Sequence, residues 1–292
     1  MNLQYLYVFK EVAKWGNFTR TGEELGYAQS SITTQIKKLE DYYQVKLFER
    51  AEGRMRLTQQ GEELYFYVEK ILSLAEEAKE KVSNETNVRG TIRIGTTESL
   101  AAYFITPYIK QIKLKHPELK IMLESGLCGK LKESTAEGVY DMAIILDEAV
   151  EQPELMTIPV RKEKMVLIAA PGHPYSKLEE MKLELLCSET LILTEEGCSY
   201  RTLLEKRLKE NKIQPKSVIS FSSLEAIKQC AADDLGIALL PEIAVRKELQ
   251  EGKLIQLPFA EEYINVSIQI IYQKKKWLTP PLKQLLSIIG ES

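Results

Sequence analysis

The chain of 292 residues is longer than a single hydrophobic core usually supports, so its length predicts two or three domains. Its composition is 44% hydrophobic and 28% charged, with a net charge of -3, and no apolar run approaches the ~18 residues that a bilayer-spanning helix needs. These values argue against a membrane protein. The amphipathic N-terminal stretch lacks the pattern of an export signal and predicts a cytoplasmic location.

Several kinds of site are disfavoured by the residues present. The four cysteines have no CxxC spacing, so they predict reduced thiols rather than a zinc site or a disulfide framework. Both histidines precede a proline, a setting typical of turns, and no phosphate-binding GxxxxGK[ST] occurs. We therefore expect neither an enzyme nor a bound metal or cofactor.

Residues 1 to 58 read as three short helices followed by a hairpin. Gly16 is placed to end the first helix, and Thr19 is placed to cap a second helix that runs to Leu25. The third helix follows within a few residues, which is the spacing of a helix-turn-helix. The hairpin comes from "VKLFERAEGRMRLT", where apolar and polar residues alternate on both sides of "EGR", and it forms a wing.

The third helix, "AQSSITTQIKKLEDYY", has one apolar stripe formed by Ile32, Ile36 and Leu39. Its remaining surface carries short hydrogen-bonding side chains and isolated positive charge. Such a surface is either simply solvated or suited to contact with DNA. Bulk charge adds little, because residues 1 to 58 hold nine Lys and Arg against seven Asp and Glu.

This segment resembles the LysR-type transcriptional regulators. The resemblance rests on the third helix with the following Glu40, on the run "LFER" at 47–50, on Arg54, and on "LT" at 57–58 with Gly61 close behind. Two departures stand out. Family members commonly have Ala-Ala where this chain has Thr21-Gly22, and often Pro at the position of Ser30. Gly22 should weaken its helix by about 1 kcal/mol relative to Ala unless close packing requires the missing side chain.

The resemblance implies a winged helix-turn-helix whose third helix enters the major groove of promoter DNA. The wing arginines would contact the DNA backbone or an adjacent minor groove. The predicted DNA-binding residues are Gln29, Ser30, Ser31, Thr33, Thr34, Lys37, Arg50, Arg54 and Arg56.

Residues 59–89 predict one long linker helix, capped by Thr58. Apolar residues recur along it at alternating spacings of four and three, which indicates a heptad seam between two copies of the helix. The alternative is a helix packed on its own domain. The predicted dimerisation residues are Leu64, Val68, Ile71, Ala75, Ala78 and Val82.

From residue 90 onward, strands alternate with helices. This pattern predicts parallel sheets in two α/β lobes, the first about 90–162 and 267–292, the second about 163–266. LysR-type proteins have an effector-binding domain of this kind, similar to periplasmic solute-binding proteins. The fold class is thus α/β, with an N-terminal all-α winged helix-turn-helix (1–58), a linker helix (59–89) and a two-lobed effector domain (90–292).

Two junctions between a strand and a helix are expected to face each other across the cleft. "TTES" offers hydroxyls at a helix N-terminus, which favours an anion, and "EGCSYR" offers a thiol, a hydroxyl and a guanidinium. Glu98 would oppose an anionic ligand, so a polar, neutral or metal-bearing effector stays open. The predicted effector residues are Thr96, Thr97, Ser99, Cys198, Ser199 and Arg201.

Cys198 raises a second reading within the same family, because peroxide-sensing members carry a reactive cysteine in this loop. Here the cysteine falls beside the matching position, and no second cysteine follows soon after. A solute-binding protein is a rival of another class, which explains the lobes but not the winged helix-turn-helix. The expected partners are double-stranded promoter DNA, a small-molecule effector, a second copy in a homodimer or homotetramer, and RNA polymerase as a further candidate, with no membrane.

Overall fold

The computed structural model of the chain describes residues 2–51, 54–82, 90–148, 152–259 and 264–290. Its contacts divide the chain into two units, Met1–Thr86 and Asn87–Ser292. No helix within the described ranges is both long and apolar enough to cross a membrane.

The first unit contains four helices and one hairpin among its described residues. In chain order they are α1 (Leu3–Trp15), α2 (Phe18–Leu25), α3 (Gln29–Tyr43), β1 (Phe48–Ala51), β2 (Arg54–Leu57) and α4 (Gln59–Val82). The apolar stripe of α3 is buried against α1, as the helical spacing predicts. The core also takes in Leu6, Phe9 and Val12 of α1, all fully buried.

The ends of the first two helices follow from local chemistry. Gly16 ends α1 with a left-handed conformation (φ 60°) that glycine adopts without steric cost. The predicted cap of α2 is wrong by two residues. Asn17 caps the helix, its side-chain oxygen accepting hydrogen bonds from the N–H groups of Thr19 and Arg20 at 2.8 and 3.1 Å.

The structure supplies the reason for glycine in α2. A Cβ atom on Gly22 would lie 2.6 Å from the carbonyl oxygen of Tyr27, closer than real Cβ contacts allow. The same turn is closed by a hydrogen bond from Tyr27 N–H to the Gly22 carbonyl, at 2.8 Å. Close packing of the turn therefore requires a residue without a side chain at position 22, although glycine has a lower helix propensity than alanine.

The hairpin and α4 complete the first unit. β1 and β2 pair antiparallel, which agrees with the predicted wing, although the turn residues 52–53 lie outside the described residues. Thr58 caps α4, with its hydroxyl accepting from Gly61 N–H at 3.0 Å. Lys10 of α1 and Glu69 of α4 form an ion pair at 2.8 Å. The first half of α4 is thus attached to the unit's own helices.

The second unit contains two five-stranded sheets. Its elements in chain order are β3 (Thr91–Thr96), α5 (Glu98–Tyr103), α6 (Thr106–Lys115), β4 (Lys120–Ser125), α7 (Cys128–Ala136), β5 (Met142–Asp147), β6 (Leu155–Glu163), β7 (Met165–Ala169), β8 (Thr190–Thr194), α8 (Ser199–Glu210), β9 (Ser217–Phe221), α9 (Leu224–Ala232), β10 (Ile237–Pro241), α10 (Glu242–Gln250), β11 (Ile255–Gln256), β12 (Val266–Gln273) and α11 (Pro280–Gly290). Two short 3₁₀ helices, Pro174–Lys177 and Leu183–Ser188, lie between β7 and β8.

Both sheets are mixed, which corrects the expectation of parallel sheets. The first-lobe sheet has the order β4-β3-β5-β12-β6, and β12 is antiparallel to both of its neighbours. The second-lobe sheet has the order β11-β7-β10-β8-β9, with β7 antiparallel to β10. The chain leaves the first lobe between β6 and β7 and returns as β12, so it crosses between the lobes twice.

Two further elements differ from the prediction. The segment 98–116, predicted as one helix, forms α5 and α6 with a break at Phe104 and Ile105. Pro107 stands in the first turn of α6, where its missing N–H costs least. β6 was not predicted at all. It is an edge strand with mostly exposed or half-buried side chains and a proline at position 159, so it lacks the apolar run of a buried strand.

Candidate functional site

Two surfaces meet the chemical requirements of a functional site, one in each unit. The first is the polar side of α3. Gln29, Ser30, Thr33, Thr34 and Lys37 are all exposed, while the opposite stripe of α3 is buried. Ser31 is only half-buried, and its hydroxyl accepts from the Gln35 side chain at 3.3 Å. Five of the six predicted α3 residues therefore form one accessible surface.

The threonine hydroxyls on this surface are already oriented. Thr33 Oγ1 donates to the Gln29 carbonyl at 3.0 Å, and Thr34 Oγ1 donates to the Ser30 carbonyl at 2.8 Å. The Gln29 amide donates in turn to Thr33 Oγ1 at 3.2 Å. With their protons directed into the helix, both hydroxyls keep an oxygen lone pair for a donor on a base edge. Their methyl groups are suited to contact the methyl of thymine.

The start of α3 leaves backbone donors at the same surface. Ala28 precedes the helix and has no polar side chain, so it makes no side-chain cap. The first N–H groups of an uncapped helix are good donors to a phosphate oxygen. The N-terminal end of α3 therefore combines backbone donors with side chains that are chemically suited to base edges.

The three wing arginines do not lie on one face. In the register of the hairpin, Arg54 and Arg56 share a face with Glu49, which is directly opposite Arg56. Arg50 is opposite Met55 and belongs to the other face. All three arginines are exposed. The positive surface of the wing is thus centred on Arg54 and Arg56 and is reduced by Glu49.

The predicted seam of α4 needs correction at its start. Leu64 and Val68 are buried in the core of their own unit, so these side chains have no surface left for a partner helix. Ile71 and Ala75 are half-buried and Ala78 is exposed, while the side chain of Val82 lies outside the described residues. The large exposed apolar residues are instead Tyr67 (59% exposed) and Leu74 (64%).

The second surface is a small cavity between the two lobes of the second unit, with a volume of about 40 Å³. The structure brings four of the six predicted effector residues to it, namely Thr97, Ser99, Cys198 and Ser199. A water molecule needs roughly 10–15 Å³ of such volume, so the cavity holds about three waters, far less than the roughly 300 Å³ of a small ligand pocket. In this structure the cleft is closed.

The other two predicted effector residues do not line the cavity. Thr96 is fully buried at the end of β3. Arg201 is buried within the second lobe, where Nη1 donates to the Thr194 carbonyl at 2.5 Å and to Ser220 Oγ at 3.0 Å, and Nε pairs with Glu205 at 2.7 Å. The prediction that Arg201 pairs with a carboxylate of the effector is therefore wrong, because its donors are used within the protein. Its donors hold the strand ends of its own lobe together.

The cavity contains several residues that were not among the predicted set. They are Glu98, Gly126, Leu127, Cys128, Leu146, Thr194, Glu195, Tyr200 and Leu224. Glu195 directly precedes the junction "EGCSYR", and Glu98 lies within "TTES" but was expected only to oppose an anionic ligand. Cys128 and Leu224 come from other helices, whose approach to the cleft depends on the packing of the lobes. No local sequence pattern marks them.

Glu98 bridges the lobes. Its carboxylate accepts from the backbone N–H of Leu224, with oxygen distances of 3.3 and 3.4 Å, at the first residue of α9 in the opposite lobe. Glu98 as a whole is exposed, but partial desolvation of its carboxylate raises its pKa above that of an ordinary glutamate. The hydrogen bond from Leu224 opposes this shift, while the charges of Glu195 and Glu225 add to it.

A second bridge lies beside the first. Lys228 donates to the Tyr103 hydroxyl at 3.0 Å and pairs with Glu225 at 2.6 Å and Glu248 at 2.7 Å. Tyr103 donates to Glu225 at 2.7 Å. Burial alone would lower the pKa of Lys228, but hydrogen bonds with these three partners outweigh it and raise that pKa. Lys228 therefore remains charged and holds α5 of the first lobe against α9 and α10 of the second.

The two thiols of the cavity are poor nucleophiles. Cys128 donates from Sγ to the Leu146 carbonyl at 3.4 Å, and burial raises the pKa of this thiol to about 11. Burial also raises the pKa of Cys198. A peroxide-sensing cysteine needs an accessible thiolate, so both environments disfavour that role. Within the described ranges, no group of three or more His, Cys, Asp and Glu is placed to hold a metal ion.

Comparison with known proteins matches each of the two units to a known domain family. Residues 3–62 match the family model "Bacterial regulatory helix-turn-helix protein, lysR family", and residues 85–292 match "LysR substrate binding domain". The chain is 37% identical over 289 residues to the HTH-type transcriptional regulator YwqM of Bacillus subtilis (strain 168), covering 99% of this chain and 98% of that protein.

Two full-length solved structures share the fold. A full-length single-residue variant of OxyR from Pseudomonas aeruginosa superimposes with a TM-score of 0.74 at 23% identity, over 100% of this chain and 94% of that one. CbnR in complex with its target DNA gives a TM-score of 0.73 at 18% identity, over 100% and 99%.

The domain matches and the full-length relative define the class of protein, a DNA-binding transcription regulator with an effector-binding domain rather than an enzyme. The chain belongs to the LysR family of bacterial regulators.

Proposed function

We propose that this LysR-family regulator reads promoter DNA through the exposed side of α3. The observation that carries this proposal is the division of α3 into a buried apolar stripe and an accessible surface of Gln29, Ser30, Thr33, Thr34 and Lys37. The amide and hydroxyl groups on that surface suit base edges in the major groove, and Lys37 suits a phosphate. Ser31 acts indirectly, by holding the side chain of Gln35.

The wing and the start of α3 supply contacts that do not depend on sequence. Arg54 and Arg56, on one face of the hairpin, would neutralise backbone phosphates, and Arg50 would reach DNA only from the other face. The uncapped N-terminal end of α3 would donate its first N–H groups to a third phosphate. These contacts fix the register of α3 in the groove but carry no base preference.

The regulator would act as a homodimer, or as a homotetramer built from dimers. The supporting feature is an apolar stripe on α4 at spacings of four and three, formed by Tyr67, Ile71, Leu74 and Ala78. Two of these residues are the large exposed ones, and the spacing is that of a helix seam. A dimer would present two copies of α3 to two half-sites of an operator.

The cleft of the second unit would take a small-molecule effector. Binding would shift the balance between closed and open lobes, and that shift would alter how the two copies of α3 meet the promoter. RNA polymerase is the partner through which altered promoter contact would become activation or repression. A protein with this task works where the chromosome is, in the bacterial cytoplasm.

The experiment is a titration of full-length protein into labelled intergenic DNA taken from beside its gene, with fluorescence anisotropy as the readout. Thr34→Ala should weaken binding to that promoter and leave binding to random DNA unchanged. Thr202→Ala is the matched control. It is another exposed helical threonine, its hydroxyl donates to the carbonyl four residues earlier at 3.0 Å, and it lies in the second unit. Equal losses for both variants would contradict the role of α3.

A further inference from the structure

The N-terminal end of α9 is the natural place for an anion in the cleft, and a residue of the protein already occupies it. α9 has nine residues, Leu224–Ala232, and its first N–H points at the carboxylate of Glu98. The positive end of a helix stabilises negative charge, so this carboxylate stands where an incoming carboxylate would otherwise bind.

A second carboxylate makes the cavity still less favourable for an anion. Glu195 lines the same cavity, and no lysine or arginine is among its described lining residues. Lys130, two residues after Cys128, is exposed and is not among the described lining residues. Lys132, on the same helix, pairs with Asp147. Arg201 pairs with Glu205, and Lys228 pairs with Glu225 and Glu248. An anionic ligand would therefore lie beside two carboxylates, with no lysine or arginine among the described lining residues to pair with.

A third observation points to a ligand that donates hydrogen bonds. Thr194 lines the cavity, is 5% exposed, and its Oγ1 accepts no hydrogen bond from the described residues. Its hydroxyl acts on the neighbouring Cys198 and Tyr200, where it opposes the rise in pKa that burial causes, so its oxygen keeps the capacity to accept a hydrogen bond from a ligand. Together with Glu98 and Glu195 it forms a set of acceptors drawn from both lobes.

We propose that Glu98 is the specificity-determining residue of the effector cleft and commits it to a ligand with a primary ammonium group. The ammonium would lie between Glu98 and Glu195 and donate its third hydrogen bond to Thr194. A cavity of about 40 Å³ accommodates a group of this size, and the rest of the ligand would extend between the lobes as they part. The inference rests on the proposed function, because it names the ligand class of the same cleft.

The test uses two probes with the same four-carbon chain and opposite charge, 1,4-diaminobutane and butanedioate. Saturation-transfer difference NMR on the full-length protein detects weak binding, and such small probes are expected to bind in the millimolar range. Wild-type protein should give a saturable signal with the diamine and none with the dicarboxylate. A saturable response to butanedioate, or none to the diamine, would overturn the inference.

Two variants assign the result to the cavity. Glu98→Gln keeps an oxygen acceptor for the Leu224 N–H but removes the charge, and should raise the dissociation constant of the diamine roughly tenfold or more. Glu179→Gln, at an exposed acidic residue outside the cavity, should leave it unchanged. Equal affinity of both variants for the diamine would show that it binds to general surface charge. The assignment of the diamine site to Glu98 would then be wrong.

The same protein preparation separates this inference from the proposed function. Promoter binding is measured by anisotropy on each variant. If promoter binding remains intact and sequence-dependent but the cleft shows no preference for the ammonium probe, only the inference about the ligand is contradicted. Loss of promoter recognition by the wild-type protein defeats the proposed function, whatever the cleft binds.

Discussion

The ammonium nitrogen of Lys228 lies 3.0 Å from the hydroxyl oxygen of Tyr103, and this contact joins the second lobe of the effector domain to the first. The hydroxyl also donates to Glu225 at 2.7 Å. One phenol oxygen therefore serves two charged groups of the opposite lobe. Together with the Glu98 bridge, it makes the closed cleft a state held by specific hydrogen bonds.

Removing that hydroxyl should loosen the closed cleft. Tyr103→Phe keeps the ring and loses both hydrogen bonds. Hydrogen bonds to charged groups contribute about 1.5–3 kcal/mol, and we expect about 1–2 kcal/mol in total here because Glu225 is exposed to solvent. Hydrogen exchange at the Leu224 amide should become faster. Tyr108→Phe, on α6 of the same lobe, is the control. Equal exchange rates of the Leu224 amide in the two variants would show that the Tyr103 hydrogen bonds do not hold the cleft closed.

The two classes of DNA contact should separate by salt dependence. Gln29→Ala should cost about 1–3 kcal/mol on the specific promoter and little on random DNA, because it removes the proposed contact to a base edge. Arg54→Ala should weaken both and reduce the slope of log affinity against log salt by about one. Anisotropy titrations at four salt concentrations measure both effects. A changed salt slope in Gln29→Ala would reassign that residue to the phosphates.

A charge in the exposed stripe of α4 should dissociate the proposed dimer without unfolding the protein. Leu74 is the suitable position because its side chain is 64% exposed in the single chain, so Leu74→Glu disturbs no core. Light scattering should report a lower mass for this variant, and its operator affinity should fall in parallel. Gln60→Glu places the same charge at an exposed position near the start of α4 and should remain assembled. An intact assembly in both variants would remove the stripe from the interface.

The cysteines should react in order of their exposure and pKa. Cys187 is exposed and should be alkylated first, while Cys128, with a pKa of about 11, should be last and should resist hydrogen peroxide at neutral pH. Mass spectrometry of iodoacetamide-treated native protein measures the order. Rapid modification of Cys128 or Cys198 by dilute peroxide would restore the redox reading.

The raised pKa of Glu98 has a defined effect on stability. A carboxyl group whose pKa is higher in the folded state binds its proton more tightly when folded, so its contribution is greatest at low pH and is lost as pH rises through that pKa. The groups acting on it are Glu195, Glu225 and Lys228. From about pH 4 to pH 7, wild-type protein should lose stability relative to Glu98→Gln in chemical denaturation. If the wild-type protein instead gained stability relative to Glu98→Gln as the pH rises, the raised pKa of Glu98 would be contradicted.

The sequence was sufficient for features that depend on local periodicity. The buried stripe of α3, the hairpin and most of the strands and helices follow from spacing and turn residues. It failed at β6, because an edge strand needs no apolar run and tolerates Pro159. It also failed at the direction of β12, since hydrophobic pattern does not distinguish parallel from antiparallel pairing.

Some residues of the candidate cleft could likewise be predicted from the sequence, and others could not. A strand followed by a helix marks Thr97, Ser99 and Ser199 in the sequence, and they do reach the cavity. Arg201 lies just after one of these residues, but its direction is set by Glu205 one helical turn later and by a carbonyl of β8. The bridges across the cleft join residues more than one hundred positions apart in sequence. Such pairs depend on lobe packing, which local patterns do not encode.

The place of β12 between β5 and β6 also has a consequence for the nascent chain on the ribosome. Strands β7 to β11 are contiguous in sequence, so the second lobe can complete its sheet as soon as it has emerged. The first lobe cannot, because β12 is synthesised only after the whole second lobe. Until then β5 presents an unpaired edge and β6 has no partner strand in the sheet. Unpaired strands of this kind can pair with strands from other chains. Translation pauses or chaperone contacts in this window should therefore affect the yield of soluble regulator more than those at any earlier point.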